Sequence, residues 1–289
     1  MQTDSPGFLL RQAIQKEKPL QIAGVINAYC AVMATTVGFQ ALYLSGAGVA
    51  NACFALPDLG MTSLDNVAEE VRRITSATSL PLLVDADTGW GHALNVAHTI
   101  QVLEKAGAAG VHIEDQAFAK RCGHREGKRL VETTEMCERI QAAVQAKKDK
   151  SFVIMARTDA ASVAGVPEAI QRAQAYVAAG ADMIFAEAVT SLSDYKQFVS
   201  ALSVPVLANM TEFGKTPLFT IEALREVGVS MVLYPLSAFR AMNQAALQVY
   251  QTLRQTGTQQ SVLPQMQTRE ALYQFLNYAQ FEKQLDQSS

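Results

Sequence analysis

The amino-acid sequence predicts an α/β fold, a (β/α)8 TIM barrel with a C-terminal helical extension. Three observations predict it. Eight short apolar runs are spaced along the chain, helix-length segments separate successive runs, and a glycine closes four of the helix-like stretches just before the next run begins. Glycine past a helix end supplies the left-handed stop. A continuously apolar strand reads as buried on both faces, as in a parallel sheet. Eight strands alternating with helices close into a barrel.

The elements follow in order. The first run is 21–27. Val37-Gly38 ends a helical stretch before the second run, 41–45. A helix over 67–75 leads to the third run, 80–87, which ends in Asp85-Ala86-Asp87. A helix over 93–105 closes at Ala106-Gly107 before the fourth run, 110–114. A helix over 134–147 precedes the fifth run, 152–158, and one over 168–179 closes at Gly180 before the sixth, 183–187. The seventh is 204–209, and Val227-Gly228 introduces the eighth, 231–234. From about Ala241 helix-forming sequence continues to Leu285, and this tail is expected to pack on a neighbouring subunit. Residues 1–289 are thus read as one barrel domain, with 241–289 as its helical extension. A doubly wound open sheet ranks second, because no strand–GxGxxG–helix unit is present.

Composition narrows the function. With 49% hydrophobic and 18% charged residues, the chain is an ordinary globular composition. A formal net charge of −3 leaves no basic footprint for nucleic acid or a membrane surface. The four cysteines, Cys30, Cys53, Cys122 and Cys137, fit neither a CxxC metal site nor a disulfide framework and suit a reducing cytosol. The N-terminus has no apolar signal core and no stretch approaches a membrane span, so a soluble cytoplasmic protein is expected.

Barrel chemistry sits at the C-terminal ends of the strands, and here those ends are polar. Ser45, Asp85 and Asp87, Glu114 and Asp115, Arg157, Glu187 and Asn209 end six successive runs. Any one of them reads equally well as a helix cap; six converging on one mouth read as a site. Asp85 and Asp87 alternate along a strand and are expected on one side of it. With Glu114 nearby, crowded carboxylates call for a cation. All-oxygen ligands favour Mg2+, with Mn2+ as the alternative. Asp58, after Leu56-Pro57, either joins them or is a turn aspartate. Lys120-Arg121-Cys122-Gly123-His124-Arg125 is the densest chemical segment. Its positive residues are expected to lower the Cys122 thiol pKa and yield a thiolate; otherwise it is an exposed basic loop. Cys30, Cys53 and Cys137 read as packing residues. His92 and His98 read as helical surface residues, and His112 as a core histidine. Arg157, Arg240 and Arg269 are candidate carboxylate clamps, the last two being as readily surface residues.

Lys120 to His124 resembles the active-site signature of the isocitrate lyase and phosphoenolpyruvate mutase superfamily. The likeness runs from about Gln21 to Leu285. It includes Leu42-Tyr43-Leu44-Ser45-Gly46, Leu56-Pro57-Asp58-Leu59-Gly60, Val84-Asp85-Ala86-Asp87-Thr88-Gly89, Ile113-Glu114-Asp115-Gln116 and Met155-Ala156-Arg157-Thr158-Asp159. Ala208-Asn209-Met210-Thr211-Glu212-Phe213-Gly214 and Tyr234-Pro235-Leu236-Ser237-Ala238-Phe239-Arg240-Ala241-Met242-Asn243 are similar to the bacterial branch that cleaves 2-methylisocitrate. The chain also lacks the large insertions of isocitrate lyases. The resemblance implies Mg2+-dependent cleavage of (2S,3R)-2-methylisocitrate to pyruvate and succinate in the 2-methylcitrate cycle of propionate catabolism. It implies a homotetramer whose C-terminal helices exchange between subunits. It implies Cys122, Lys120, His124 and Arg157 as catalytic residues, and Asp85 and Asp87 as metal ligands, with Asp58 and Glu114 acting through water. Substrate contacts are implied from Ser45, Gly46, Ala47, Cys122, Gly123, Arg157, Glu187, Asn209, Met210, Thr211, Arg240 and Arg269. Two departures stand out: Ala47, where relatives usually carry glycine, and a one-residue shortening around Gly91-His92-Ala93. The alternatives are a lyase of the same superfamily acting on isocitrate, dimethylmalate or oxaloacetate, and a non-catalytic metabolite-binding barrel.

Overall fold

Eight parallel strands close into a barrel in sequential order. They are β1 (Leu20–Gly24), β2 (Ala41–Leu44), β3 (Leu82–Asp85), β4 (Gly110–Glu114), β5 (Val153–Thr158), β6 (Met183–Ala186), β7 (Val206–Asn209) and β8 (Met231–Tyr234). The structure is a computed structural model and describes residues 4–118 and 120–288. The barrel helices are α1 (Pro6–Lys16), α2 (Ala28–Thr36), α3 (Gly46–Phe54), α4 (Leu64–Ala77), α5 (Ala93–Lys105), α6 (Thr133–Ala146), α7 (Val166–Ala178), α8 (Leu192–Ala201) and α9 (Ile221–Glu226). β8 pairs with β1 through Leu20↔Met231 and Ile22↔Leu233, which leaves no open sheet edge.

The core has two layers. Leu20, Ile22, Tyr43, Leu83, Met155, Phe185, Leu207 and Leu233 fill the barrel interior together with Leu10 and Ile14 of α1. The other strand face packs against the helices, through residues such as Leu42, Val84, Val111, Ile154 and Ile184. α1 starts where Ser5 accepts a hydrogen bond from the Phe8 amide, with Pro6 at its first turn. It plugs the N-terminal end of the barrel. Arg11 donates to the Ser151 carbonyl at 2.8 Å and pairs with Asp182 at 2.7 Å.

Six of the strands are shorter than their apolar runs, and in β1 and β2 the run ends in the cap of the next helix. β1 stops before Asn27, whose side chain caps α2 by accepting from the Cys30 amide at 2.9 Å. β2 stops before Ser45, which caps α3. β3 stops at Asp85, because Asp87 takes a left-handed conformation with φ of 45°. Among the described residues no helix is long and apolar enough to cross a membrane.

The chain divides into two compact units, Met1–Ser237 and Ala238–Ser289. The second holds all but the first residue of α10 (Ser237–Thr256), a 3-10 turn, α11 (Arg269–Phe275) and α12 (Tyr278–Ser288). Tyr273 and Tyr278 stack within it at 4.3 Å between ring centroids.

Candidate active site

Alternate strand residues face the barrel interior. Tyr43, Leu83, Met155, Phe185 and Leu207 belong to that interior. Two residues further along each strand direction come Ser45, Asp85, Arg157, Glu187 and Asn209, all buried. His112 is followed in the same way by Glu114, and both are fully buried. The polar strand ends are therefore the top layer of the barrel interior.

These side chains meet. Arg157 Nη1 lies 3.4 Å from Glu114 Oε2, and Nη2 lies 3.3 Å from Glu187 Oε2. Asn209 Nδ2 is 3.4 Å from both Glu187 oxygens. His124 Nε2 is 3.0 Å from Glu187 Oε1. Its Nδ1 accepts the Lys215 amide at 2.9 Å, which leaves Nε2 as the ring's donor towards Glu187. Burial works against ionisation of Glu187, but Arg157 and His124 outweigh it and hold the carboxyl well below the usual range.

The opposite side of the mouth holds the carboxylates. The Gly46 amide, at the start of α3, donates to Asp85 Oδ2 at 3.0 Å. A Cβ at Gly46 would stand 3.1 Å from Asp87 Oδ1 and 3.2 Å from Asp85 Oδ2, so only a bare backbone approaches both acids comfortably. Strand alternation is not what brings Asp87 here, contrary to expectation. Asp87 lies beyond β3 in a left-handed turn, and its amide donates to Asp85 Oδ1 at 3.0 Å. The Lys120 ammonium bridges Asp87, at 2.7 Å, and Asp58. Burial raises Asp87 to about 6, aided by the Asp85 and Asp58 charges and opposed by Lys120. Burial also acts on Asp85, but His112, Lys120 and Arg157 overcome it and hold that carboxyl at about 2.

Glu114 fits a site that takes a cation and its water. It is fully buried, and neither oxygen has a hydrogen-bond partner among the described residues. Burial pushes its pKa well up despite Arg157 and Lys120. Among the described residues no group of three His, Cys, Asp or Glu side chains forms a ready cage. Two carboxylates with water-filled positions is the arrangement Mg2+ ordinarily accepts.

Cys122 and Gly123 lie on a loop whose base is clasped by an antiparallel bridge, Gln116↔Leu130. The Ala117 amide donates to Arg129 at 2.8 Å, and the Val131 amide to Asp115 at 2.9 Å. A Cβ on Gly123 would lie 2.5 Å from Arg157 Nη2, so the loop presses directly on the top layer. The expectation of a Cys122 thiolate is corrected. Burial raises the thiol pKa and Asp58 and Glu187 add to this, outweighing the His124 amide and Arg157. Cys122 is a neutral thiol at pH 7, the form that can give a proton. A second correction concerns Cys53, which is exposed rather than packed. His92 and His98 are exposed, and His92 stands at the N-cap position of α5 without a side-chain capping bond.

Ser45 caps α3, with its Oγ accepting from Gly48, and Ala47 follows in the first turn of that helix. Thr211 is buried after β7, whereas the Met210 side chain belongs to the outer apolar core. Arg240 lies in α10, and Arg269 opens α11. Four residues of the site escaped the sequence reading. Tyr43 Oη and His112 Nε2 meet at 2.9 Å directly beneath Asp85, with His112 Nε2 3.6 Å from Asp85 Oδ1. Burial lowers His112 to about 4, so the ring is neutral. Asp159 accepts from Arg157 Nε at 3.0 Å and Nη2 at 3.2 Å, and pairs with Lys128 at 2.8 Å. The alternation of Tyr43 with Ser45 and of His112 with Glu114 was the available signal for the first two.

Residues 10–254 match the phosphoenolpyruvate phosphomutase family. The chain is 60% identical to the 2-methylisocitrate lyase of Shewanella oneidensis over 285 residues, covering 99% of this chain and 98% of that one. Among solved structures, 2,3-dimethylmalate lyase, a member of the PEP mutase/isocitrate lyase superfamily, superimposes with a TM-score of 0.91 at 32% identity, covering 99% of this chain and 96% of the other. Phosphonopyruvate hydrolase in complex with oxalate and Mg2+ superimposes with a TM-score of 0.85 at 28% identity, covering 97% and 98%. With a family match over most of its length and relatives aligned nearly end to end, the chain belongs to the phosphoenolpyruvate phosphomutase family, within the PEP mutase/isocitrate lyase superfamily.

Proposed function

We propose that this chain is a Mg2+-dependent carbon–carbon lyase that cleaves (2S,3R)-2-methylisocitrate to pyruvate and succinate, a step of propionate catabolism. The observation that carries the proposal is the 60% identity to a 2-methylisocitrate lyase over 99% of the chain. Asp85 and Asp87 would hold the cation directly, with Asp58 and Glu114 reaching it through water. A cation held there would supply Lewis-acid polarisation of a bound hydroxy acid.

The chain's own groups supply the rest. Ser45, Gly46 and Ala47 present the start of α3 to a substrate carboxylate, where backbone amides favour negative charge. Gly123, Arg157, Glu187, Asn209 and Thr211 complete the contacts at the barrel mouth, whereas the Met210 side chain lies in the outer core; the family resemblance alone adds Arg240 and Arg269, of the second unit, as carboxylate clamps. The hydroxyl proton passes to the buried carboxylates or to water held among them. The carbon–carbon bond then breaks, the hydroxyl carbon becomes the keto carbon of pyruvate, and the bonding pair stays on the succinate fragment as an aci-carboxylate. Lys120, Arg157 and His124 face this developing charge. Cys122, a neutral thiol, gives its proton to the fragment's carbon, and the thiolate regains one before the next turnover. The partners in this reading are the small-molecule tricarboxylate and other copies of the chain, which assemble as a homotetramer. Four free thiols suit a cytoplasmic location.

The test is pyruvate release from 2-methylisocitrate and glyoxylate release from isocitrate, each with Mg2+ and with EDTA. Metal-dependent pyruvate release in large excess is expected. Dominant glyoxylate release would keep the mechanism and change the substrate. Silence in both would favour another branch of the superfamily or a non-catalytic barrel.

A further inference from the structure

Lys128 is a charged side chain buried to 2% exposure outside the catalytic set. It follows the loop that carries Cys122. Its ammonium donates to the main-chain carbonyl of Gly123 and to Asp159 Oδ1, the latter at 2.8 Å. Asp159 is itself fully buried, and the same carboxylate receives Arg157 through two hydrogen bonds. The Asp159 amide donates to Asp115 Oδ1 at 2.9 Å. Asp115 in turn accepts from Thr158 Oγ1 at 2.8 Å and Tyr176 Oη at 2.9 Å. A rigid anchor in the barrel wall thus ends in one carboxylate that holds both Arg157 and the loop.

We propose that Lys128 is a positioning residue, a strap that fixes Gly123, and with it Cys122, at a set height above Arg157 by sharing Asp159 with it. Burying a lysine is expensive and is tolerated where the charge is paired and its protons are placed. Here one proton goes to the loop backbone and another to the carboxylate that orients the arginine, so the two halves of the site are held in register. A surface lysine could not do this, and an apolar residue would fill the space without fixing the carbonyl.

The consequence for turnover rests on the proposed lyase reading; the consequence for loop order does not, and the experiment separates them. Lys128→Met, and Lys128→Gln should the first fail to fold, are compared with the parent by two readouts. The first is the iodoacetamide alkylation rate of Cys122, resolved by peptide mass spectrometry against Cys137 of α6 in the same sample. Selective acceleration of Cys122 is expected, several-fold, because the loop rides open. A general loss of stability would accelerate both cysteines together. The second is steady-state cleavage of 2-methylisocitrate, where kcat should fall about 100-fold with KM changing much less, and Lys128→Arg should recover part of it. Parent-like Cys122 protection in a folded variant overturns the strap. Selective Cys122 exposure with no activity in the parent upholds the strap and overturns only the lyase reading.

Discussion

Replacing Gly123 with alanine should lower kcat about 100-fold and barely disturb the fold. The added Cβ would lie 2.5 Å from Arg157 Nη2, 2.6 Å from Glu187 Cγ and 2.7 Å from Glu187 Cδ, where ordinary contact begins at 3.4 Å. Neither neighbour can retreat easily. Arg157 is fixed to Asp159 by two hydrogen bonds, and Glu187 is held by His124 and Asn209. The loop must yield instead, by roughly 1 Å, and a misplacement of that size costs about 100-fold in rate, or about 3 kcal/mol in the barrier. The loop can lift by giving up its local contacts, among them Lys128 to the Gly123 carbonyl, without opening the core, so the stability change should be about 1 kcal/mol, a Tm shift of about 2–4 °C. The assay is pyruvate release coupled to lactate dehydrogenase, with Tm measured on the same preparation. A folded Gly123→Ala enzyme with the parent's kcat would refute the argument that the loop is held against a rigid top layer.

Cys122→Ser should lose about 100- to 10,000-fold in kcat while its Mg2+ affinity by calorimetry stays unchanged; parent-like turnover would remove the cysteine from proton delivery. Because burial holds Asp87 at about 6 and a cation needs the ionised carboxylate, Mg2+ affinity should be full above that pH. It should weaken about tenfold per unit below it, and a flat calorimetric profile from about pH 5 to 7 would contradict the assignment of Asp87. Glu114→Gln should leave Tm nearly unchanged, since burial already favours the neutral acid, and weaken Mg2+ binding about 10- to 100-fold; equal affinity would exclude Glu114 from the site. Isocitrate lacks one methyl, so its kcat/KM should fall short of 2-methylisocitrate by about 10- to 200-fold. Parity between the two substrates would mean that the pocket does not enclose the methyl group.

Eight strands and the polar ends of six were legible in the sequence because parallel barrel strands are apolar on both faces and turn polar only at the mouth. Where reading failed, three-dimensional effects decided. Asp87 was placed on the strand by alternation, but a left-handed residue carries it off β3 and back to Asp85. The charges around Cys122 were visible, but their order of influence was not. Burial of the thiol outweighs Arg157, and no local spacing encodes that burial. Cys53 reads as a packing residue because it lacks the charged neighbours of Cys122, yet α3 presents it outward. Lys128 and Asp159 stand 31 residues apart and meet only because β4 and β5 are neighbours.

The columns running up the inside of the barrel have a further meaning for anyone who would redesign this enzyme. Tyr43 below Ser45, Leu83 below Asp85, Met155 below Arg157, Phe185 below Glu187 and Leu207 below Asn209 divide each strand into a part that holds the chain together and a part that faces reactants. A library confined to the upper members would sample new reactions on a scaffold whose folding depends on the lower ones. A library that strays one step down each strand would instead spend its diversity on collapsed barrels.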